Sequence, residues 1–220
     1  VSVGVRLVIL GKQGAGKGTQ CVQLARHFVV PHISTGDMFR AAIKAGTAMG
    51  RMAKGFIDEG QLVPDEVVIG IVAERLSERD ARSRGFILDG FPRTTHQARA
   101  LEKILKPLEL DRVVDLEVDT EIVLARLASR RVCSVCGHNY SVQAPPKHNW
   151  SCDHCGGEVV QRDDDQPEAI RTRLDLYESA TAPLIDFYSD RGLLSAIDGS
   201  RPPDVVLHEI VAIIEGARRR

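Results

Sequence analysis

Apolar runs bounded by turn residues alternate with amphipathic stretches along most of the chain. Leu7-Val8-Ile9-Leu10 is a continuous apolar run, the mark of a strand buried on both faces, and it leads into the glycine-rich Gly11-Lys12-Gln13-Gly14-Ala15-Gly16. Cys21, Leu24, Ala25 and Phe28 recur at i, i+3, i+4 and i+7, so a helix is predicted over 17–28, with Cys21 a small core residue on its apolar face. A short strand over 29–34 follows, and Ser34-Thr35-Gly36-Asp37 carries the oxygen acceptors that start a helix. Residues 38–60 read as two short polar helices broken near Gly46 and Gly50.

The stripe Val67, Val68, Ile71, Val72, Leu76 predicts a helix from Asp65 into the charged residues 78–82, and Phe86-Ile87-Leu88-Asp89 a buried strand ending in a carboxylate. A helix over 94–105, a strand over 113–118 and a helix from 120 to about 131 continue the alternation. After a cysteine-bearing break, 166–190 reads as a long or kinked helix with Pro183 as its irregularity, followed by a strand over 193–197 and a helix over 203–214. Five strands interleaved with helices predict an α/β fold: a parallel five-stranded sheet with helices on both faces, binding its ligand at the carboxyl ends of the strands.

Composition narrows the function. The 220 residues are 43% hydrophobic, enough to build one domain of ordinary size with small insertions. A formal net charge of -1 gives no global field to gather nucleic acid or membrane, so any basic site is local. No apolar run approaches the roughly 18 residues of a membrane span, and a cytoplasmic location is expected.

Chemistry enters at the first turn. A strand that opens through glycines into Gly16-Lys17-Gly18-Thr19 is a phosphate-binding loop: glycines let backbone N–H groups converge on an anion, the following helix adds its partly positive end, and Lys17 adds a full charge. The general pattern has Ser or Thr after the lysine to hold magnesium; here Gly18 stands there. Asp89, ending a buried strand and followed by Gly90-Phe91-Pro92-Arg93, suits Mg²⁺ held through its waters, or else a plain turn cap.

Four of the five cysteines form two close pairs, Cys133/Cys136 and Cys152/Cys155, the spacing of a tetrahedral structural zinc site. Iron suits the same sulfur cage, and His138, His148 and His154 are nearby alternative ligands.

Gly14-Ala15-Gly16-Lys17-Gly18-Thr19-Gln20, Ser34-Thr35-Gly36-Asp37-Met38, Asp89-Gly90-Phe91-Pro92-Arg93-Thr94 and Arg162-Asp163-Asp164-Asp165-Gln166, in this order and at this spacing, together resemble the adenylate kinase family. The cysteine insertion is similar to the lid of its zinc-containing bacterial members. The resemblance spans nearly the whole chain and implies reversible transfer of the γ-phosphoryl group of Mg-ATP to AMP, giving two ADP. It also implies a P-loop kinase core of residues 1–33, 64–128 and 166–220, an AMP-binding helical insertion over 34–63 and a small zinc-binding lid over 129–165.

By motif position, Gly14, Ala15, Gly16, Lys17, Gly18 and Thr19 would hold ATP, with Arg126, Arg130, Asn139, Tyr140 and Arg201 as further contacts. Thr35, Arg40, Gln61, Leu62 and Val63 would hold AMP together with Gly90, Arg93 and Gln97. Arg162 and Arg173 would reach the phosphates between the nucleotides and so also belong to the AMP site. The resemblance implies a monomer acting on ATP, AMP and ADP, with Mg²⁺ and structural Zn²⁺ as cofactors and no nucleic-acid or membrane partner. The resemblance implies that the magnesium would be held mainly by nucleotide oxygens and waters, with Asp89 behind them. One departure stands out: the family's loop usually has proline where this chain has Gln13.

The residue types suit the reaction. A nucleotide phosphate acceptor is already anionic near neutral pH, so no general base is needed; repulsion between anions has to be overcome by positioning and fixed cations. Lys17, Arg93, Arg130, Arg162 and Arg173 meet that demand, the arginines with a fork that binds two oxygens at once. Two rival readings remain at this stage. One is a kinase for UMP or CMP. The other is a zinc-ribbon nucleic-acid-binding protein, weakly supported because residues 129–162 carry a surplus of only two positive charges and their aromatics are Tyr140 and Trp150.

Overall fold

A computed structural model describes residues 4–218, so residues 1–3 and 219–220 of the expected core lie outside the described residues. The strands β1 (Val5–Gly11), β2 (His32–Ser34), β3 (Gly85–Asp89) and β4 (Arg112–Glu117) join the late strand Leu194–Asp198 in one sheet. Its order is β2, β3, β1, β4 and then the late strand, all parallel, so β1 is central, with Ile9 opposite both Asp89 and Val114. Chain connections leave β1 toward β2 on one side and reach β4 on the other, which puts the crevice that binds ligands at the carboxyl end of β1.

The apolar run of β1 is continuous because both faces are covered. Val8 and Leu10 point into one core with Leu88 and Val113, while Leu7 and Ile9 point into the other with Ile87 and Val114, as a two-residue period requires. The first core is closed by α2 (Thr35–Lys44), α3 (Ala48–Asp58), α4 (Asp65–Ser77) and α6 (Thr95–Leu105), with α5 (Arg79–Arg84) contributing Ala81. The second is closed by α1 (Lys17–Phe28), α7 (Thr120–Ser129) and the C-terminal helix Pro203–Arg218. Among the described residues no helix is long and apolar enough to cross a membrane.

Several expected boundaries move, each for a local reason. Val29 caps α1 in the left-handed region (φ 55) instead of opening a strand, so β2 is three residues long. Of the two expected glycine breaks, the chain turns at residues 45–47, where the Thr47 hydroxyl caps α3. Gly50 lies inside α3, where a Cβ would stand 2.1 Å from the Ala42 carbonyl oxygen, so this glycine permits the close packing of α2 on α3. The helix expected to run through residues 78–82 breaks at Glu78 into α4 and α5. The one expected to reach residue 131 ends at Ser129, because Arg130 and Arg131 begin β5 (Arg130–Cys133).

The cysteine segment adds β6 (Asn139–Ser141) and β7 (Val159–Val160), which pair antiparallel on either side of β5. It returns through a 3-10 turn (Asp163–Asp165) to α8 (Pro167–Leu176). The irregularity expected at Pro183 is a π turn, Tyr177–Thr181, closed by Ala182 N–H on the Tyr177 carbonyl at 2.7 Å. Proline, lacking a donor, then sits in the first turn of α9 (Pro183–Ser189). The late strand is β8 and the last helix α10.

Candidate active site

The loop between β1 and α1 is shaped by Gly14 (φ 82) and Gly16 (φ 104), values that only glycine adopts without strain. Gly16 is the N-cap of α1 and no side chain caps it, and a Cβ there would meet nothing within 4 Å, so the amides of the first turn face an open space suited to an anion. The Lys17 ammonium folds over the loop, donating to the carbonyls of Gly11 at 2.5 Å and Lys12 at 2.8 Å. Burial pushes its pKa down to about 8; Asp89 opposes that shift, while Arg93 and Arg173 add to it.

Asp89 sits beside β1 at the end of β3 with its side chain 15% exposed. Burial would raise its pKa, but His32, at 3.5 Å, and the charges of Lys17 and Arg93 outweigh burial and hold it below the ordinary carboxylate value. A side chain at residue 18 would place its first carbon 3.8 Å from both the Asp89 carboxylate and the Asn139 amide, so Gly18 leaves this space clear and the cysteine segment reaches the loop.

Three arginines are gathered by the short turn after β7. Arg162 binds both oxygens of Asp164, with Nε at 2.7 Å, and Arg173 donates to the same carboxylate at 2.9 Å and to the Asp164 carbonyl at 3.2 Å. Arg130 forks onto Asp165, with Nε at 2.7 Å. Burial would raise the pKa of Asp164, yet the Arg162 hydrogen bonds and the charges of Arg162, Arg173 and Arg40 hold it far below the usual range. Burial pushes Arg93, Arg130 and Arg173 down, and a neighbouring aspartate counters it in each case. Gln13, in the place of the family's proline, reaches Asp165 at 3.5 Å.

Every residue named for AMP except Arg162 lines one cavity between the sheet and the α2–α3 insertion: Thr35, Arg40, Gln61–Val63, Gly90, Arg93, Gln97 and Arg173. Gly90 (φ 78) forms its corner, accepting from the Thr35 hydroxyl at 3.0 Å and Arg93 Nε at 2.8 Å. The Gln97 amide is fixed, its Nε2 donating to Asp65 at 2.7 Å and its Oε1 accepting the Arg93 N–H at 2.8 Å. One N–H and one lone pair remain for a base. Arg40 is paired with Asp37.

The outer residues named for ATP are engaged differently. Arg126 donates to the carbonyls of Ala15, Gly199 and Ser200, tying the phosphate loop to the β8–α10 turn. Arg201 is paired with Asp198 and Glu209. The Tyr140 hydroxyl donates to Cys152 Sγ at 3.4 Å and accepts the Asp153 N–H at 2.8 Å. No contact of its own points it at the phosphate loop.

The four cysteines come together, with Cys133 and Cys155 sulfurs 3.4 Å apart and Cys136 and Cys152 sulfurs 3.6 Å apart. Sulfurs around a tetrahedral zinc stand about 3.8 Å apart. Backbone N–H groups of residues 135 and 136 point at the Cys133 sulfur and that of His154 at Cys152, the donors that stabilise thiolates. His138 and His154 stack on each other, ring centroids 4.0 Å apart, and neither joins the sulfur group.

With this geometry the comparisons agree. The adenylate kinase family profile matches residues 9–193. The chain is 53% identical over 214 residues to the adenylate kinase of Desulfitobacterium hafniense, covering 96% of this chain and 98% of that one. It is 49% identical to that of Thermodesulfovibrio yellowstonii and 51% identical to that of Bacillus cereus, each over 96% of this chain and 99% of the relative.

The chain belongs to the adenylate kinase family.

Members of that family carry out ATP + AMP → 2 ADP, and the readings as a UMP or CMP kinase or a nucleic-acid-binding zinc ribbon are not favoured. Sequence reasoning missed three groups that shape this adenylate kinase site: Asp164 and Asp165, which hold the arginines, and Asp65, which fixes Gln97 and accepts from the Thr94 hydroxyl at 2.7 Å. The run of aspartates after Arg162 was a visible signal for the first two; Asp65 carried none beyond its place at a helix start.

Proposed function

We propose that this chain transfers the γ-phosphoryl group of Mg-ATP to AMP by electrostatic positioning, with no general base. The observation that carries this reading is the convergence of Lys17, Arg93, Arg130, Arg162 and Arg173 on the ground between the phosphate loop and the Gly90 cavity, where Asp37, Asp89, Asp164 and Asp165 offset them in part. Residues 14–19 and Lys17 bind the ATP phosphates, Asp89 orients the waters of its magnesium ion, and Arg126 with Arg201 forms the outer wall of the ATP site.

AMP takes the Gly90 cavity. Its phosphate draws on Arg40 and Arg93, and its base uses the free N–H and lone pair of Gln97, whose orientation is fixed by Asp65. Arg130, Arg162 and Arg173 bridge the phosphates. Residues 34–63 and 129–165 move as arms on a core of 1–33, 64–128 and 166–220, and closing them keeps water from the transferring group. The contact from Lys44 Nζ to the Ser134 carbonyl at 3.2 Å and the approach of Asn139 to Gly18 support that closure.

Zn²⁺ would be held by Cys133, Cys136, Cys152 and Cys155, where it stiffens a lid with almost no core of its own. Tyr140 supports the metal site through Cys152 and, with Asn139, contacts ATP from the lid. The protein acts as a monomer in the cytoplasm on ATP, AMP and ADP, with no nucleic-acid or membrane partner. The deciding experiment is an assay of ATP with AMP, UMP, CMP and GMP in turn: the expected result is turnover with AMP alone, and comparable rates with UMP or CMP would refute the role given to Gln97.

A further inference from the structure

Behind the phosphate loop lies a second group of metal-ligating side chains, two of which, Cys21 and His32, have no part in the phosphoryl transfer proposed above. The Cys21 sulfur, a ring nitrogen of His32 and a carboxylate oxygen of Asp89 lie within 4.8 Å of one another. They come from three elements meeting at the carboxyl end of the sheet: Cys21 from the apolar face of α1, His32 from the start of β2 and Asp89 from the end of β3. Cys21 is wholly buried, whereas the side chains of His32 and Asp89 are 18% and 15% exposed, so solvent reaches the group past these two. The buried Nε2 of His32 makes no hydrogen bond, although it stands 3.5 Å from Asp89 Oδ2.

We propose that Cys21, His32 and Asp89 bind one soft divalent cation, of the zinc class, at a site separate from the four-cysteine cluster, and that filling this site stops turnover.

One sulfur, one imidazole and one carboxylate form a three-ligand set that leaves a fourth position open. In a tetrahedral shell at zinc bond lengths, such ligand atoms stand about 3.3–3.8 Å apart. The His32–Asp89 pair already has that separation, and the cysteine needs a shift of about 1 Å or less. The Cys21 thiol gives up its proton to solvent on binding. Thiolate and carboxylate then balance the dication. Lys17 and Arg93 are opposing charges, and the Lys17 ammonium is already drawn onto the Gly11 and Lys12 carbonyls. Magnesium, which prefers oxygen ligands, gains nothing from the sulfur, so the site selects the softer ion.

Loss of turnover rests on the reading that Asp89 serves the magnesium of ATP: a soft ion there takes Asp89 away from that role. The test uses full-length protein with its four-cysteine site filled with zinc, comparing the parent with Cys21→Ala and His32→Gln. Equilibrium dialysis against zinc is expected to give two bound ions for the parent and one for each variant. Titration with Co²⁺ alone is expected to give a sulfur-to-cobalt absorption band that Cys21→Ala lacks. Equal stoichiometry and equal spectra in all three proteins would overturn the site. In the assay, half-inhibition of Cys21→Ala should require at least tenfold more zinc than the parent, and chelator should restore the parent. A second ion that binds without slowing turnover would leave the site standing and remove Asp89 from the magnesium, so the two failures are distinguishable.

Discussion

Asp164→Asn isolates the part of the site where structure and chemistry are most tightly joined. The carboxylate is 10% exposed and is bound by Arg162, which is 13% exposed, and by Arg173, which is 18% exposed. Removing its charge leaves two poorly solvated guanidiniums facing each other with a neutral amide between them. Breaking a buried pair by removing one partner costs about 3–5 kcal/mol, and the low end applies here because asparagine keeps an acceptor oxygen. At about 2–4 °C per kcal/mol for a domain of this size, 3 kcal/mol becomes a fall of roughly 6–12 °C in Tm.

The same arithmetic gives a second, sharper expectation. If phosphates bind these arginines, their oxygens replace the lost carboxylate, so saturating ADP should shrink the deficit by at least half. Scanning calorimetry of parent and variant, each with and without ADP, measures both. A nucleotide-free Tm within about 2 °C of the parent would refute the energetic argument. A full-sized deficit that ADP leaves untouched would refute the placement of phosphates on Arg162 and Arg173.

Other outcomes test other parts of the site. Lys17→Met should keep the fold and lower kcat by about a hundredfold or more, since on the proposed mechanism it deletes a charge that meets the transferring group; unchanged turnover would sink the mechanism. Lys17 is charged below its pKa of about 8 and neutral above it, so kcat/KM for ATP should be flat up to that pH and fall roughly tenfold per unit beyond it. A Lys17→Arg variant that keeps activity should lose this alkaline limb. Removing the metal from the cysteine cluster by chelation should lower Tm and abolish activity, with zinc restoring both; unchanged stability after complete removal would contradict a structural metal. Gly90→Ala puts a Cβ 2.9 Å from the Thr35 hydroxyl at a φ of 78, so it should cost about 1–3 kcal/mol of stability and raise the KM for AMP more than that for ATP.

What the sequence revealed and what it hid follow a physical division. The sheet was legible because β1 and β3 are covered on both faces and so carry unbroken apolar runs, as in Phe86-Ile87-Leu88. Gly16-Lys17 and the paired cysteines were legible because their chemistry fixes local spacing. Interactions between distant segments were not legible. Nothing near Arg126 in sequence indicates that its guanidinium will rest on carbonyls of residues 15, 199 and 200, and nothing near Tyr140 indicates that its hydroxyl will be spent on Cys152. Boundaries failed where a tertiary demand overrode local pattern: Arg130 and Arg131 continue a helical stripe, yet pairing with residues 139–141 draws them into β5.

The turn at residues 163–165 has a consequence beyond holding side chains. It is where the cysteine-bearing arm rejoins the core, and it carries both carboxylates on which the three arginines rest. On the proposed function, a guanidinium that swings to a nucleotide must release the joint that restrained it, so loading the chamber and loosening that joint would become one counter-ion exchange. Cargo with too few negative oxygens to complete that exchange would leave the joint clamped.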